Sequence, residues 1–319
     1  FSEGLDTFQR DLQRAQPTIF FSVPRLWTKF YLGVTEKLPL KKQKLFFSIP
    51  IFNSYVKKKI LTQLGLHNVR VALTGSAPLP PQIIEWYRGL GLELLDVYGM
   101  SENFAYSHAC KPNEVRVGYV GSVNPGVEHR IADNGEIEVK SPAQMLGYYK
   151  MADKMAEEMT DDGYFKTGDR GEIDAQGRLR ITGRVKELFK TSKGKYVAPA
   201  PIENKLNNHP KVEVVCVTGS GEPQPFALFM LSLDAVKELA SGELDKETLT
   251  AEIKGLLKEV NTTLEDHERL DYVVMVKDQW TMENGFLTPT MKIKRNIIED
   301  RYLKNGEQWV AQKQKVIWE

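Results

Sequence analysis

Val69, Val71 and Leu73 alternate with other residues, as in a half-buried strand. Gly75-Ser76-Ala77-Pro78 then turns the chain, and Pro80 and Pro81 suit the start of a helix. Residues 83–90 carry that helix, Gly91 stops it, and residues 92–97 read as the next strand. Such a compact βαβ unit has parallel strands. Ligands of open α/β sheets lie beyond the carboxyl ends of the strands. The loop at Gly75, Ser76 and Ala77 and the loop at residues 98–102 are therefore expected to face one pocket.

The rest of the pattern is read in the same way. Residues 1–16 are expected to be a helix, and the apolar run 18–23, closed by Pro24, a buried strand. Residues 41–63 are expected to be helical, with basic and aromatic side chains interleaved. Gly118, Gly121, Pro125 and Gly126 mark turns. Asn134-Gly135 and Gln176-Gly177 predict two hairpins. After Gly183 the texture changes to a Lys- and Gly-rich loop (191–196), a short helix after Pro201, and strands at 212–217 and 226–231. Leu249, Ile253, Leu256, Leu257 and Val260 have the spacing of an amphipathic helix, and 272–276 reads as a strand. The expectation is an α/β first part, residues 1–185, and a small α+β domain, residues 186–319.

Composition narrows the picture. The 319 residues are 41% apolar and 27% charged, as in a soluble globular protein. A net charge of +1, from 43 basic and 42 acidic residues, gives no argument for nucleic-acid binding. Two cysteines cannot build a disulfide framework, which fits a reducing, cytoplasmic compartment. No apolar run approaches the length of a membrane span. The basic, aromatic stretch 41–59 is expected to be a solvated helix face; a peripheral contact with a membrane surface is its other reading. The five histidines lack metal-ligand spacing, Cys110 has no evident partner base, and Cys216 is expected in the core. Gly219-Ser220-Gly221 is expected to be a turn between strands. The start at Phe1-Ser2-Glu3-Gly4, without Met or a signal pattern, reads as a cut inside a longer chain.

Four stretches carry candidate chemistry: Tyr98-Gly99-Met100-Ser101-Glu102, Tyr164-Phe165-Lys166-Thr167-Gly168-Asp169, Gly183-Arg184-Val185-Lys186-Glu187 and Pro289-Thr290-Met291-Lys292-Ile293-Lys294. Singly, each also reads as a polar turn or a solvated basic run. In this order and at these separations they resemble the adenylate-forming enzymes, a superfamily that includes acyl-CoA synthetases, peptide-synthetase adenylation domains and luciferases. The resemblance implies a fold of a large α/β domain and a small mobile C-terminal domain. It implies ATP, Mg²⁺ and a carboxylic acid as reactants, with AMP retained on the acyl group. It places Tyr98 and Gly99 against adenine, Asp96 near the adenine amino group, Ser101 on the α-phosphate and Glu102 on Mg²⁺. Gly75, Ser76 and Ala77 also line the nucleotide. Asp169 corresponds to the acceptor of the ribose hydroxyls, Arg184 to a second ribose or phosphate contact, and Lys186 to the hinge. Lys292 corresponds to the catalytic lysine of the small domain; Lys294 and Arg295 are expected to be solvated. The superfamily carries a Ser/Thr/Gly-rich phosphate loop ahead of these motifs. This sequence has none, so it is expected to be the later, truncated part of a longer enzyme.

The opening segment Pro17-Thr18-Ile19-Phe20-Phe21-Ser22-Val23-Pro24-Arg25-Leu26-Trp27 resembles long-chain fatty acyl-CoA synthetases in particular. That implies a fatty acid as the acid and CoA as the acceptor thiol, with Gly194 lining the CoA path. Relatives often have two glycines there; Lys193 replaces one. Two alternatives stay open: a fatty acyl-AMP ligase loading a carrier protein, and a non-catalytic nucleotide- or acyl-binding fragment. Oligomeric state and acyl chain length are not determined by the sequence.

Overall fold

The computed structural model describes residues 4, 7–77, 79–288 and 291–319. It divides into two compact units, Phe1–Thr182 and Gly183–Glu319. In the first unit a five-stranded sheet runs in the order β1 (Ile19–Ser22), β2 (Val71–Thr74), β3 (Leu94–Tyr98), β4 (His108–Ala109) and β5 (Ser122–Val123). β1, β2 and β3 are parallel, and β4 and β5 continue antiparallel. The βαβ unit is as expected: helix Pro81–Gly89 connects β2 to β3, with proline at its first turn and Gly91 at φ 93° after its end. Pro78 lies outside the described residues.

Thr74 pairs with Asp96, so β3 runs two residues past the carboxyl end of β2 and Tyr98 lies beyond it. A Cβ added at Gly75 would lie 2.9 Å from the Val97 side chain, so glycine lets this loop close against β3.

Three expectations are corrected here. β1 is not buried: it is an edge strand whose Ile19 and Phe21 are more than half exposed, because only its other face is covered. The helix expected over 41–63 is two helices, Leu40–Ser48 and Pro50–Leu64; Pro50 disfavours helical geometry at Ile49 and has no N–H to continue the ladder. A further helix, Pro24–Lys37, starts on the proline that closes the apolar run. The amino-terminal helix is Phe8–Ala15; residues 1–3, 5 and 6 lie outside the described residues.

A second sheet in this unit is a meander of β6 (Glu128–Ile131), β7 (Glu136–Lys140), β8 (Phe165–Ile173) and β9 (Leu179–Arg184). Gly135 and Gly177, at φ 82° and 74°, sit in the two predicted turns. Tyr98, Val120, Val127, Ile137, Val139 and Leu179 form the apolar seam joining the two sheets. Gly121 is fixed by close approach: at φ 85°, an added Cβ would lie 2.1 Å from the carbonyl oxygen of Ala109. Gly121→Ala is therefore expected to destabilise this unit by about 2–4 kcal/mol, from backbone strain plus overpacking, and thermal denaturation would measure it.

The second unit opens with the short hairpin β10 (Phe189–Lys190) and β11 (Tyr196–Val197). Its main sheet is β12 (Val212–Thr218), β13 (Phe226–Leu231), β14 (Val273–Val276) and β15 (Val316–Trp318). β12 and β13 are antiparallel; β14 and β15 join in parallel. One face packs on helices Pro199–Leu206 and Lys246–Asn261, through Ile202, Leu206, Leu249 and Ile253. The other packs on Trp280, Tyr302 and Trp309, carried partly by helices Arg295–Tyr302 and Gly306–Ala311. The helix expected after Pro201 begins at Pro199, since proline is tolerated throughout a first turn. Helix Leu233–Ser241, capped by the Ser232 hydroxyl, adds to the elements expected from the sequence.

Candidate active site

The motif that opens after β3 is a tight loop. Met100 N–H donates to Asn103 Oδ1 (3.1 Å), and Ala105 N–H donates to Met100 O (2.8 Å). The loop folds so closely on itself that a Cβ at Gly99 would lie 2.6 Å from the backbone of Ala105. Phe104 and Ala105 both take left-handed backbone angles, φ 53° and 54°. Ser101 and Glu102 start the 3₁₀ turn Ser101–Asn103, with Ser101 exposed and Glu102 half-buried. Tyr148 O–H donates to Glu102 Oε1 (2.9 Å), and Met145 N–H to Glu102 O (2.8 Å). Burial and that carboxylate push the Tyr148 phenol up to about 12. Ser76, on the neighbouring loop, is also left-handed at φ 75°.

Asp169 is set by a break in the β7–β8 ladder. The register shifts between Glu136 and Glu138, leaving Thr167-Gly168-Asp169 as a bulge on β8. Gly168 N–H donates to Glu136 Oε1 (2.8 Å), Thr167 Oγ1 donates to Ile137 O (2.7 Å), and Asp169 N–H donates to Thr167 Oγ1 (3.1 Å). Tyr98 O–H then donates to Asp169 Oδ2 at 2.8 Å. Two motifs 71 residues apart thus meet side chain to side chain across the two sheets.

The other candidates lie in the second unit. Arg184 and Lys186 are exposed, at the end of β9 and in the 3₁₀ turn Val185–Glu187. Gly194, at φ 78°, closes the tip of the β10–β11 hairpin, where Lys193 and Lys195 are exposed. Lys292 is exposed on a small loop: Thr288 N–H donates to Lys292 O (2.8 Å), and Leu287 bridges Ile293 at its base. Pro289 and Thr290 of that motif lie outside the described residues.

Two sequence profiles match this chain, one described as AMP-binding enzyme over residues 2–149 and one as AMP-binding enzyme C-terminal domain over residues 187–313. The chain belongs to the AMP-binding enzymes. Among the relatives of this AMP-binding enzyme is a long-chain-fatty-acid–CoA ligase of Mycobacterium bovis. It is 31% identical over 328 residues, covering 92% of this chain and 54% of the relative. A peroxisomal long chain acyl-CoA synthetase of Arabidopsis thaliana is 30% identical over 331 residues, covering 89% of this chain and 47% of the relative. The chain thus spans about half the length of these relatives. Among solved structures, the A domain of a carboxylic acid reductase from Segniliparus rugosus superposes with a TM-score of 0.76 at 25% identity. The match covers 97% of this chain and 49% of that one.

Two buried polar groupings near these loops have no counterpart in the sequence motifs. Arg295 is the clearest correction. Expected to be solvated, its side chain is only 12% exposed and bonds Glu203 (2.8 Å), Glu187 (3.5 Å) and the carbonyl of Val217 (2.7 Å). Burial disfavours its charge, but Glu203 and Glu187 hold it protonated. It starts the helix three residues after Lys292, and so anchors that loop. Its burial depends on Glu203, distant in sequence, which no local pattern reveals.

The histidines are not scattered in space. His108, opposite Tyr98 in the β3–β4 pair, is fully buried; its Nε2 lies 2.8 Å from His129 Nδ1, and its Nδ1 lies 2.8 Å from Ser107 Oγ. One neutral tautomer set satisfies both bonds, with Ser107 O–H donating to His108 and His108 N–H donating to His129. Burial, and the like charge of His129, push His108 down to about 3; burial also lowers His129. The unfolded chain binds protons below about pH 6.5 that these rings refuse when folded, so they cost stability as pH falls. Asp96 acts oppositely. Burial pushes its carboxyl up to about 7, so the folded chain holds a proton between about pH 4 and 7 that the unfolded chain lacks. Its contribution falls as pH rises. Asp96→Asn is expected to leave the histidine slope alone, so that urea midpoints drop more steeply from pH 7 to pH 5 than in the parent. An unchanged profile would show that Asp96 is already ionised in the fold.

Proposed function

We propose that this chain carries the nucleotide and C-terminal parts of an ATP-dependent long-chain fatty acid–CoA ligase. The observation that carries the reading is the Tyr98–Asp169 contact, which joins an aromatic face to a carboxylate able to accept from a diol. In this reading Tyr98 and Gly99 hold adenine, Asp96 lies near its amino group, Asp169 and Arg184 bind ribose, and Ser101 faces the α-phosphate. A carboxylate oxygen of the acid attacks the α-phosphorus, and the bond to pyrophosphate breaks. Lys292 meets the charge that develops on the acid and α-phosphate. The thiol sulfur, its proton lost, then attacks the acyl carbonyl carbon, and AMP leaves. Lys186 is the pivot that exchanges Lys292 for the Gly194 loop between the two steps.

Glu102 offers one carboxylate, with Oε1 engaged by Tyr148, and no cluster of three acidic, histidine or cysteine groups surrounds it among the described residues. That donor set fits a Mg²⁺ carried in by phosphate oxygens rather than one caged by protein. When bound, the ion would neutralise phosphate charge. The fatty-acid assignment draws on the named relatives and on β1. Phe21 on its uncovered face comes within 3.5 Å of an added Gly75 Cβ, so an apolar strip adjoins the nucleotide loop.

The test supplies the full-length protein with ATP, CoA and fatty acids of graded length, and detects AMP and acyl-CoA. Acyl-CoA with a long-chain optimum is the expected result. Acyl-adenylate without acyl-CoA would favour the second reading, transfer to a carrier protein. The fit to the A-PCP didomain of a carboxylic acid reductase and Lys193 in place of a glycine support that reading.

A further inference from the structure

The helices Leu40–Ser48 and Pro50–Leu64 form a hairpin with one apolar end. Leu45, Ile49, Ile51, Phe52 and Tyr55 cluster in sequence around the bend and are all exposed, Ile51 at 85% and Tyr55 at 64%. Single exposed apolar residues are ordinary; five within eleven positions of one bend form a patch. Lysines flank it on both arms, Lys41, Lys42 and Lys44 before the bend and Lys57, Lys58 and Lys59 after it. From Lys37 through Ile84 there is no aspartate or glutamate. In a chain with 43 basic and 42 acidic residues, that is a strong local segregation of charge.

The hairpin is also braced to present this end. Trp86 Nε1 donates to the buried Gln43 Oε1 (2.8 Å), and Gln43 Nε2 donates to Leu38 O (2.7 Å). Ile60 and Leu64 sit in the core of the first unit, and the Lys57 ammonium lies over the Phe47 ring at 5.1 Å. The inner side is thus bound to the body, and the bend is not.

We propose that the hairpin end docks on the surface of an anionic lipid bilayer. The bend enters the boundary between headgroups and acyl chains, and the lysines on both arms meet lipid phosphates and carboxylates with their stems lying along the apolar layer. An apolar wedge between two basic arms suits a layered anionic surface better than a nucleic acid, whose charge is not backed by hydrocarbon. The docking requires no nucleotide and does not rest on the ligase reading, although a bilayer is also where a long-chain acid resides.

The test is cosedimentation of the full-length protein, without ATP, with vesicles of phosphatidylcholine alone or mixed with phosphatidylserine. Binding to the mixed vesicles, released by high salt, is expected. Lys58→Glu with Lys59→Glu should lower partitioning roughly thirtyfold or more, about fivefold for each basic residue lost and more for the charge reversal. Ile51→Ser with Phe52→Ser should also lower it, at unchanged thermal stability, because both side chains are exposed. As an independent readout, Ile51→Cys carrying a polarity-sensitive dye should shift to the blue on mixed vesicles, beyond any shift of the parent protein labelled in the same way; Cys110 and Cys216 are buried. Equal binding to both vesicle types, no loss in the Ile51/Phe52 variant, or no spectral shift would each overturn the proposal. So would failure of the full-length protein to bind, the result expected if another protein segment covers the bend.

Discussion

Lys292→Ala in the full-length protein is expected to lower acyl-adenylate formation about 10²–10³-fold, the usual cost of removing a group aimed at developing transition-state charge. Fatty-acid-dependent exchange of pyrophosphate into ATP would measure it. Thioester formation from supplied acyl-adenylate should stay within a few-fold of the parent. The asymmetry follows from the two half-reactions: only the first builds extra negative charge on phosphate oxygens during attack by a carboxylate. Folding should be unaffected, since backbone hydrogen bonds at Thr288 and the Leu287–Ile293 bridge hold the exposed loop. Equal losses in both half-reactions would remove Lys292 from the role proposed for it. Lys292→Arg should recover little, because a broad planar fork does not replace a compact ammonium at a converging site.

Arg295→Met should have the largest effect on stability. Glu203 is buried beneath it and also accepts from Val217 N–H at 2.7 Å. Removing the guanidinium leaves that carboxylate uncompensated, at a cost of about 3–5 kcal/mol to the second unit, read from urea unfolding. Two further results identify the cause. The loss should shrink as pH falls, because the orphaned carboxyl takes up a proton in the folded state. Arg295→Met combined with Glu203→Gln should recover most of it, since glutamine keeps an acceptor for Val217 without the charge. If the double variant is no better than the single, packing of the arginine stem matters more than its charge. A weakened Arg295 anchor should also loosen the nearby Lys292 loop, so any residual folded variant is expected to adenylate poorly.

Much of this protein was legible in its sequence because the deciding forces were local. Pro81 and Gly91 bound a helix through their own backbone preferences. Asn134-Gly135 closes a hairpin because that pair accepts the turn's backbone angles, and the short β2–helix–β3 connection requires those strands to be parallel. The motif loops fell at strand ends for the same reason, and the family followed from their order.

What only the tertiary structure decided was which side chains lose water, and to whom. Residues 41–63 have the composition of one helix, yet a single proline splits them, and the exposed residues at the bend are apolar. β1 has the composition of a core strand, yet one of its faces is uncovered. Arg295 stands in a basic run indistinguishable in sequence from Lys294, and becomes buried because Glu203 waits 92 residues away. His108 and His129 carry no metal spacing, and Tyr98 and Asp169 no common pattern; each pair meets because one sheet packs on another. Backbone preference acts over a few residues and can be read from them. Desolvation and charge pairing depend on neighbours that the chain brings together only by folding.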